Sequence, residues 1–274
     1  MTSRILITGA ARGIGAALAH RMARRGARVA LLGLEPEHLA RVARDAGDAP
    51  WRACDVTRRD DVDAAVAELV ATLGGLDVVV ANAGVAAQLP LVGGDPEIFE
   101  RTIGVNVLGT YYTLRAAGPH VAHAGGYALA IASLAAAVHL PLMGAYCASK
   151  AAVEALGNSL RTELAHTGAR VGVAYFGEID TDMTARGFGT RAAAAAGRFG
   201  PFTRAAPLAT AVDALERGLA RRSRTIWAPG FVGPLLPVRA LIQRVVDVRM
   251  RRGLDRALAI AREEHAGLTT AQPA

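Results

Sequence analysis

Short apolar, β-branched runs alternate along this chain with segments of helical periodicity, and that alternation constrains the fold more than any other feature. The runs fall at residues 5–8, 29–32, 51–54, 77–81, 127–132, 171–176 and 225–228, and helical patterns occupy 14–25, 37–46, 60–73, 96–117, 145–165 and 207–220. Parallel neighbours need a crossover, and the usual crossover is a helix. Seven strands with six interleaved helices therefore predict an α/β fold, a doubly wound parallel sheet with helices on both faces. Ligands of such sheets bind at the carboxyl ends of the strands, where the strand order switches. No internal repeat competes with this reading.

Hydrophobic residues make up 52% of the 274 positions and charged residues 20%, enough apolar material for a large core. We expect one domain over residues 1–230 and a basic, apolar, helical C-terminal extension over 231–274. Inside the domain, residues 184–204 are rich in Gly, Ala and Arg, including Gly187, Gly189, Gly197 and Gly200, which suits a substrate lid. Cys54 and Cys147 fall in segments assigned to the core and the site, so no disulfide framework is expected. The N-terminus enters a strand without a charged region, apolar run and cleavage site, and no apolar run reaches membrane-spanning length. A cytoplasmic protein is expected.

The first strand leads into Thr8-Gly9-Ala10-Ala11-Arg12-Gly13-Ile14-Gly15, and a helix follows. Glycines permit a tight turn and close backbone approach, so the helix N-terminus can direct free amides at a pyrophosphate. A glycine-rich turn alone is weak evidence. Strand before and helix after supply the context it needs. The acidic residue that marks NAD is expected at the end of the second strand, where Gly33 and Leu34 stand instead. Glu35 is the nearest carboxylate. Arg12 is either a solvated turn residue or a partner for a 2′-phosphate, and the second reading tips the cofactor toward NADP(H) over NAD(H).

Tyr146 and Lys150 lie four apart on a helical pattern and so share a face. A phenol near pKa 10 is a poor acid or base at neutral pH, and an adjacent ammonium should lower that value toward the working range. Tyr146 then protonates a carbonyl or deprotonates an alcohol, and Ser133, at the end of the fifth strand, binds the same oxygen. The spacing also occurs in ordinary amphipathic helices with a snorkelling lysine. Composition argues otherwise: 31 residues are Lys or Arg, and Lys150 is the only lysine among them. A lone lysine placed at random would reach one chosen cationic position about once in thirty tries.

With the Gly-rich turn, Asn82-Ala83-Gly84 after the fourth strand, Ser133 and Tyr146-x-x-x-Lys150 in this order, the chain resembles the short-chain dehydrogenase/reductase family from about Arg4 to Met183. The resemblance implies a Rossmann-type sheet of seven strands, a nicotinamide cofactor and a homodimer or homotetramer. It implies adenine contacts from Asp55 and Val56, ribose contacts from Asn82, Ala83 and Gly84, and a relay water held by Asn106, which is otherwise a polar residue inside a helix. Tyr146 and Lys150 would also reach the cofactor. After the sixth strand Gly177, Ile179 and Thr181 fit the nicotinamide segment, with Thr181 on the carboxamide. Phe176 stands where the family has proline, and an aromatic there could cover one face of the ring.

Other features favour plain readings. His120 and His123 share a helix end without a completing ligand, so no metal is expected. Asp180 and Asp182 look like helix-start residues. No nucleic-acid module is present. In the extension, Val238, Leu241, Ile242, Val245 and Val246 follow helical spacing among Arg239, Arg244, Arg249, Arg251 and Arg252. Docking on the domain or a partner subunit is favoured over an anionic membrane surface. The expected activity is hydride transfer between nicotinamide and a carbonyl or secondary alcohol. The substrate should be apolar, given Leu134, Ala135, Ala136, Val138, Leu140 and Met143 between the serine and the tyrosine. The rivals are a catalytically silent dinucleotide sensor or scaffold, and lyase or epimerase chemistry on the same fold.

Overall fold

The computed structural model describes residues 3–188, 190–197, 204–251, 253–264 and 267–270. Gly189 and Gly200 of the expected lid, and Arg252 and residues 271–274 of the extension, lie outside them. Strands β1 (Arg4–Thr8), β2 (Arg28–Gly33), β3 (Trp51–Ala53), β4 (Val78–Ala81), β5 (Tyr127–Ile131), β6 (Arg170–Phe176) and β7 (Thr225–Ala228) form one parallel sheet. Their order is β3-β2-β1-β4-β5-β6-β7, so the switch falls between β1 and β4. β4 and β5 are buried along their whole length, which is why they read as continuous apolar runs rather than alternating ones.

The crossovers are α1 (Gly13–Arg24), α2 (Pro36–Asp45), α3 (Arg59–Leu73), α4 (Pro96–Ile103), α5 (Gly109–Val121) and α6 (Gly144–Glu163). Two short helices follow β6, α7 (Asp182–Phe188) and α8 (Arg191–Ala196), and then α9 (Leu208–Arg221) leads into β7. The extension forms α10 (Val232–Leu235), α11 (Arg239–Arg249) and α12 (Leu254–Glu264). Alternate strand residues feed two cores, one on each face of the sheet. Leu6, Ala30 and Leu32 pack with Val62, Leu69 and Leu114 on the side of α3 and α5. Ile5, Ile7 and Leu31 pack with Leu18, Leu39 and Leu215 on the side of α1, α2 and α9.

The pattern at 96–117 predicted one regular helix. The structure breaks it with a π-helical turn over Gly104–Leu108 and continues to Val121 through Pro119. A π turn inserts one residue into the helical ladder and often marks a functional site. Here it turns Asn106, fully buried, toward the loop after β4. Val232 and Val246 of the extension join the first core, while α12 packs on α8 through Ala257 and Ala261 against Ala192.

Candidate active site

A cavity of about 720 Å³ runs across the carboxyl end of the sheet, from the β1–α1 turn to the start of α6. Gly9 and Gly13 hold φ of 64° and 53° in the turn, a conformation that side-chain-bearing residues rarely adopt. A methyl at Gly15 would overlap the carbonyl of Gly9. α1 starts without a side-chain cap and without an acidic residue in its first turn, so its leading N–H groups face the cavity free for an anion. The turn therefore fits a dinucleotide diphosphate.

Gly9, Arg12, Gly13 and Ile14 line the cavity, but Thr8 and Gly15 stand behind its wall. Thr8 is buried, and its hydroxyl accepts from the N–H groups of Asn82 and Ala83. Asn82 spends its amide nitrogen on the carbonyls of Thr8 (3.0 Å) and Gly9 (3.3 Å). These residues lock the loop after β4 against the turn. Asn82, Ala83 and Gly84 line the cavity beside the turn. Asp55 and Val56 line it too, with Asp55 Oδ1 accepting from the Thr57 N–H and hydroxyl.

The two groups that sequence offered for the adenosine ribose meet each other. Arg12 pairs with Glu35 through Nε (2.7 Å to Oε2) and Nη2 (2.6 Å to Oε1), and reaches Asp182 at the start of α7 through Nη1 (3.3 Å). The carboxylates hold the guanidinium pKa above its ordinary value, chiefly through the hydrogen bonds that Arg12 donates to Glu35. Of the two aspartates expected to start a helix, Asp182 does so, while Asp180 belongs to the loop before α7.

At the other end Ser133, Tyr146 and Lys150 line one wall. Ser133 donates to the Phe176 carbonyl (3.2 Å) and accepts from the Ala135 N–H (3.1 Å), which fixes its hydroxyl at the end of β5. Lys150 is 5% exposed, donates to the Ile131 carbonyl at 2.9 Å, and lies 5.7 Å from the centre of the Tyr146 ring. Burial dominates both groups. It pushes the Tyr146 phenol up to about 12 against a smaller lowering by Ser133, and the Lys150 ammonium down to about 8. The expected lowering of the phenol by its neighbour is absent, because Lys150 turns its charge to the Ile131 carbonyl and desolvation outweighs the rest.

Asn106 also lies behind the wall. Its Oδ1 accepts from Val85 N–H (2.8 Å), and its Nδ2 donates to the Val85 carbonyl and to Ser149 Oγ (2.9 Å each). A methyl on Gly84 would lie 3.2 Å from Asn106 Oδ1 and 3.4 Å from Lys150 Nζ, so all three residues converge. Both Asn106 amide hydrogens are thus spent within the protein.

Gly177, Ile179 and Thr181 line the cavity, with Thr181 Oγ1 donating to the Ile179 carbonyl (3.3 Å). Phe176 is 4% exposed and packs in the core on the α1 side, so its backbone carbonyl, not its ring, is what serves Ser133.

Sequence reasoning missed several lining residues. Gln88 is 8% exposed and takes a hydrogen bond from Thr190, the residue before α8. Its place as a lone polar residue in the run Val85 to Pro90 was the available signal. Met250, Thr269 and Thr270 come from the extension. Thr269 bonds the Ala86 backbone in both directions, and Glu264 caps α8 by accepting from the N–H groups of Arg191 and Ala192. No local pattern marks a tail that returns to a loop 183 residues earlier.

The family described as short chain dehydrogenase matches residues 3–191. An uncharacterized oxidoreductase of Staphylococcus saprophyticus is 34% identical over 185 residues, 65% of this chain and 79% of that protein. A sorbitol dehydrogenase of Cereibacter sphaeroides is 36% identical over 178 residues, 64% of this chain and 70% of its own. Among solved structures, NAD⁺-bound xylitol dehydrogenase superposes with a TM-score of 0.74 at 25% identity, covering 83% of this chain and 98% of that one.

Proposed function

Because the chain belongs to the short-chain dehydrogenase family and is an NAD(P)-dependent oxidoreductase acting on alcohol or carbonyl groups, we propose that Tyr146 is its proton donor and that it works as a carbonyl reductase. The observation that carries this is geometric: Ser133, Tyr146 and Lys150 line one wall of the cavity, with Lys150 Nζ 5.7 Å from the centre of the Tyr146 ring. Ser133 orients the carbonyl oxygen toward that proton. Lys150, held at the Ile131 carbonyl, packs 5.7 Å from the Tyr146 ring, and Asn106 positions the loop after β4 through Val85. The bound nicotinamide supplies the hydride. Tyr146 Oη then transfers its proton to the substrate oxygen.

The residues present suit the cofactor: the uncapped α1 for the diphosphate, Asp55, Val56, Ala83 and Gly84 for adenosine, and Gly177, Ile179 and Thr181 for the nicotinamide amide. We assign NADP(H) over NAD(H). Arg12 is the cation that a 2′-phosphate would take from Glu35, a more anionic ligand replacing a carboxylate.

Leu134, Val138, Leu140, Met143, Met183 and Met250 make the substrate end apolar. A polyol such as sorbitol would leave many hydroxyls unpartnered there, at a cost in buried polar groups. Gln88 supplies the polar exception. Thr190 Oγ1 accepts from Ala193 N–H and spends its hydrogen on Gln88 Oε1, leaving the amide nitrogen without a partner among the described residues. We therefore read the substrate as an apolar ketone or aldehyde carrying a second acceptor oxygen. Residues 184–204 are read as the lid over it. The two free, buried thiols and the family's habits suit a cytoplasmic homo-oligomer, with exposed Leu108 and Tyr111 on the side of α5 as its contact.

Following NADPH absorbance with a panel of apolar ketones and aldehydes tests the reading. Oxidation of NADPH with alcohol formation is expected. Conversion without net cofactor oxidation would indicate lyase or epimerase chemistry, and cofactor binding without any conversion would indicate a sensor.

A further inference from the structure

α11 meets the domain through the face that carries Arg239, Gln243 and Val246. Gln243 and His139 exchange hydrogen bonds, Gln243 Oε1 accepting from the His139 N–H (2.7 Å) and Nε2 donating to its carbonyl (3.1 Å). Arg239 grips Glu154 of α6 with two bonds of 3.0 Å, and Val246 is 1% exposed. The opposite face carries Val238, Leu241, Val245 and Val248 at steps of three, four and three, exposed by 44, 62, 52 and 68%. Four branched apolar side chains thus form one outward stripe. Arg244 and Arg251 flank it as exposed residues, and Asp247, the one acid of α11, takes a bond from Gln243.

We infer that this face docks on an anionic lipid surface. Apolar residues along one side of a helix with arginines around them are what an interfacial helix needs, since the stripe enters the acyl boundary while guanidinium groups meet headgroup phosphates. A second copy of the chain fits worse. A symmetric contact would bring Arg244 and Arg251 of one copy against those of the other. The helix spans 11 residues, about 16 Å, so its stripe falls short of the roughly 800 Å² per partner that stable interfaces bury. The whole chain carries +7, which draws it to anionic surfaces. Among the described residues no helix is long and apolar enough to cross a membrane, so the contact is peripheral. Met250, the residue after α11, lines the cavity from the face of the helix that carries Val246, opposite the outward stripe.

The test is co-sedimentation of the full chain with extruded vesicles of phosphatidylcholine, with and without phosphatidylserine, alongside circular dichroism and light scattering. Binding at least about tenfold stronger to the phosphatidylserine vesicles, weakening with salt, is expected. Leu241→Asp with Val245→Asp should abolish it while leaving the melting transition and carbonyl turnover unchanged. Arg244→Ala with Arg251→Ala should weaken it by roughly fivefold per arginine. Equal or absent binding to the two vesicles overturns the inference. So does an aspartate variant that still binds, or one that instead converts an oligomer to a smaller species.

Discussion

Arg12 and Glu35 neutralise each other on the cavity wall beside the β1–α1 turn, with Nη2 2.6 Å from Oε1 and Nε 2.7 Å from Oε2. Under the NADP(H) assignment the pair is a competitor for the 2′-phosphate. Glu35→Gln should lower the KM for NADPH by about tenfold, and Arg12→Ala should raise it about tenfold with less effect on NADH. Steady-state kinetics with both cofactors checks this. Unchanged KM ratios in both variants would remove Arg12 from cofactor choice.

Lys150 costs stability. Its ammonium falls from the ordinary 10.5 to about 8 on burial, which corresponds to about 3 kcal/mol against the charged form. The unfolded chain binds the proton more tightly, so this penalty is full below pH about 8 and fades as pH rises toward about 10.5. Lys150→Met should therefore melt higher than the parent at neutral pH, less the bond to the Ile131 carbonyl, and lose the advantage in alkali. Its turnover should fall by at least about a hundredfold. Urea unfolding across pH reads the sign directly.

The Tyr146 phenol, pushed to about 12, holds its proton through the neutral range. Alcohol oxidation needs that proton gone, so its kcat/KM should climb by up to about tenfold per pH unit above neutrality, while carbonyl reduction stays nearly flat. A plateau in the oxidation profile already at neutral pH would show the phenol titrating far lower.

Thr190 holds the Gln88 oxygen, and under the proposed reading the amide nitrogen is left for the substrate. Gln88→Leu should raise KM roughly tenfold for ketones with a second acceptor oxygen and leave simple apolar ketones unaffected. Equal effects on both classes would make Gln88 a lid contact only.

A methyl at Gly15 would meet the Gly9 carbonyl and the Asn82 amide, both of which hold the turn. Gly15→Ala should abolish the cofactor's thermal shift, although the residue is not on the cavity wall.

The sheet was legible because its strands are apolar on both faces and its turn must be glycine at Gly9 and Gly13. Lys150 was legible for a compositional reason, as the single lysine beside so many arginines. The direction of its effect was not. Spacing gives the neighbour but not its burial, and burial outweighs a charge that is directed at the Ile131 carbonyl. Arg12 and Glu35 were each visible as a candidate, yet their pairing depends on how the β2–α2 loop meets the β1–α1 turn, which no local pattern encodes. The same holds for Thr269, which reaches Ala86 only through the packing of α12 on α8.

Tyr146→Phe removes one oxygen and keeps the ring, so NADPH-dependent reduction of a carbonyl by this variant tests the central claim most directly. The account predicts a kcat lower by roughly a thousandfold, with the cofactor's thermal shift intact. Turnover equal to that of the parent chain would mean that the proton comes from elsewhere, and would contradict it.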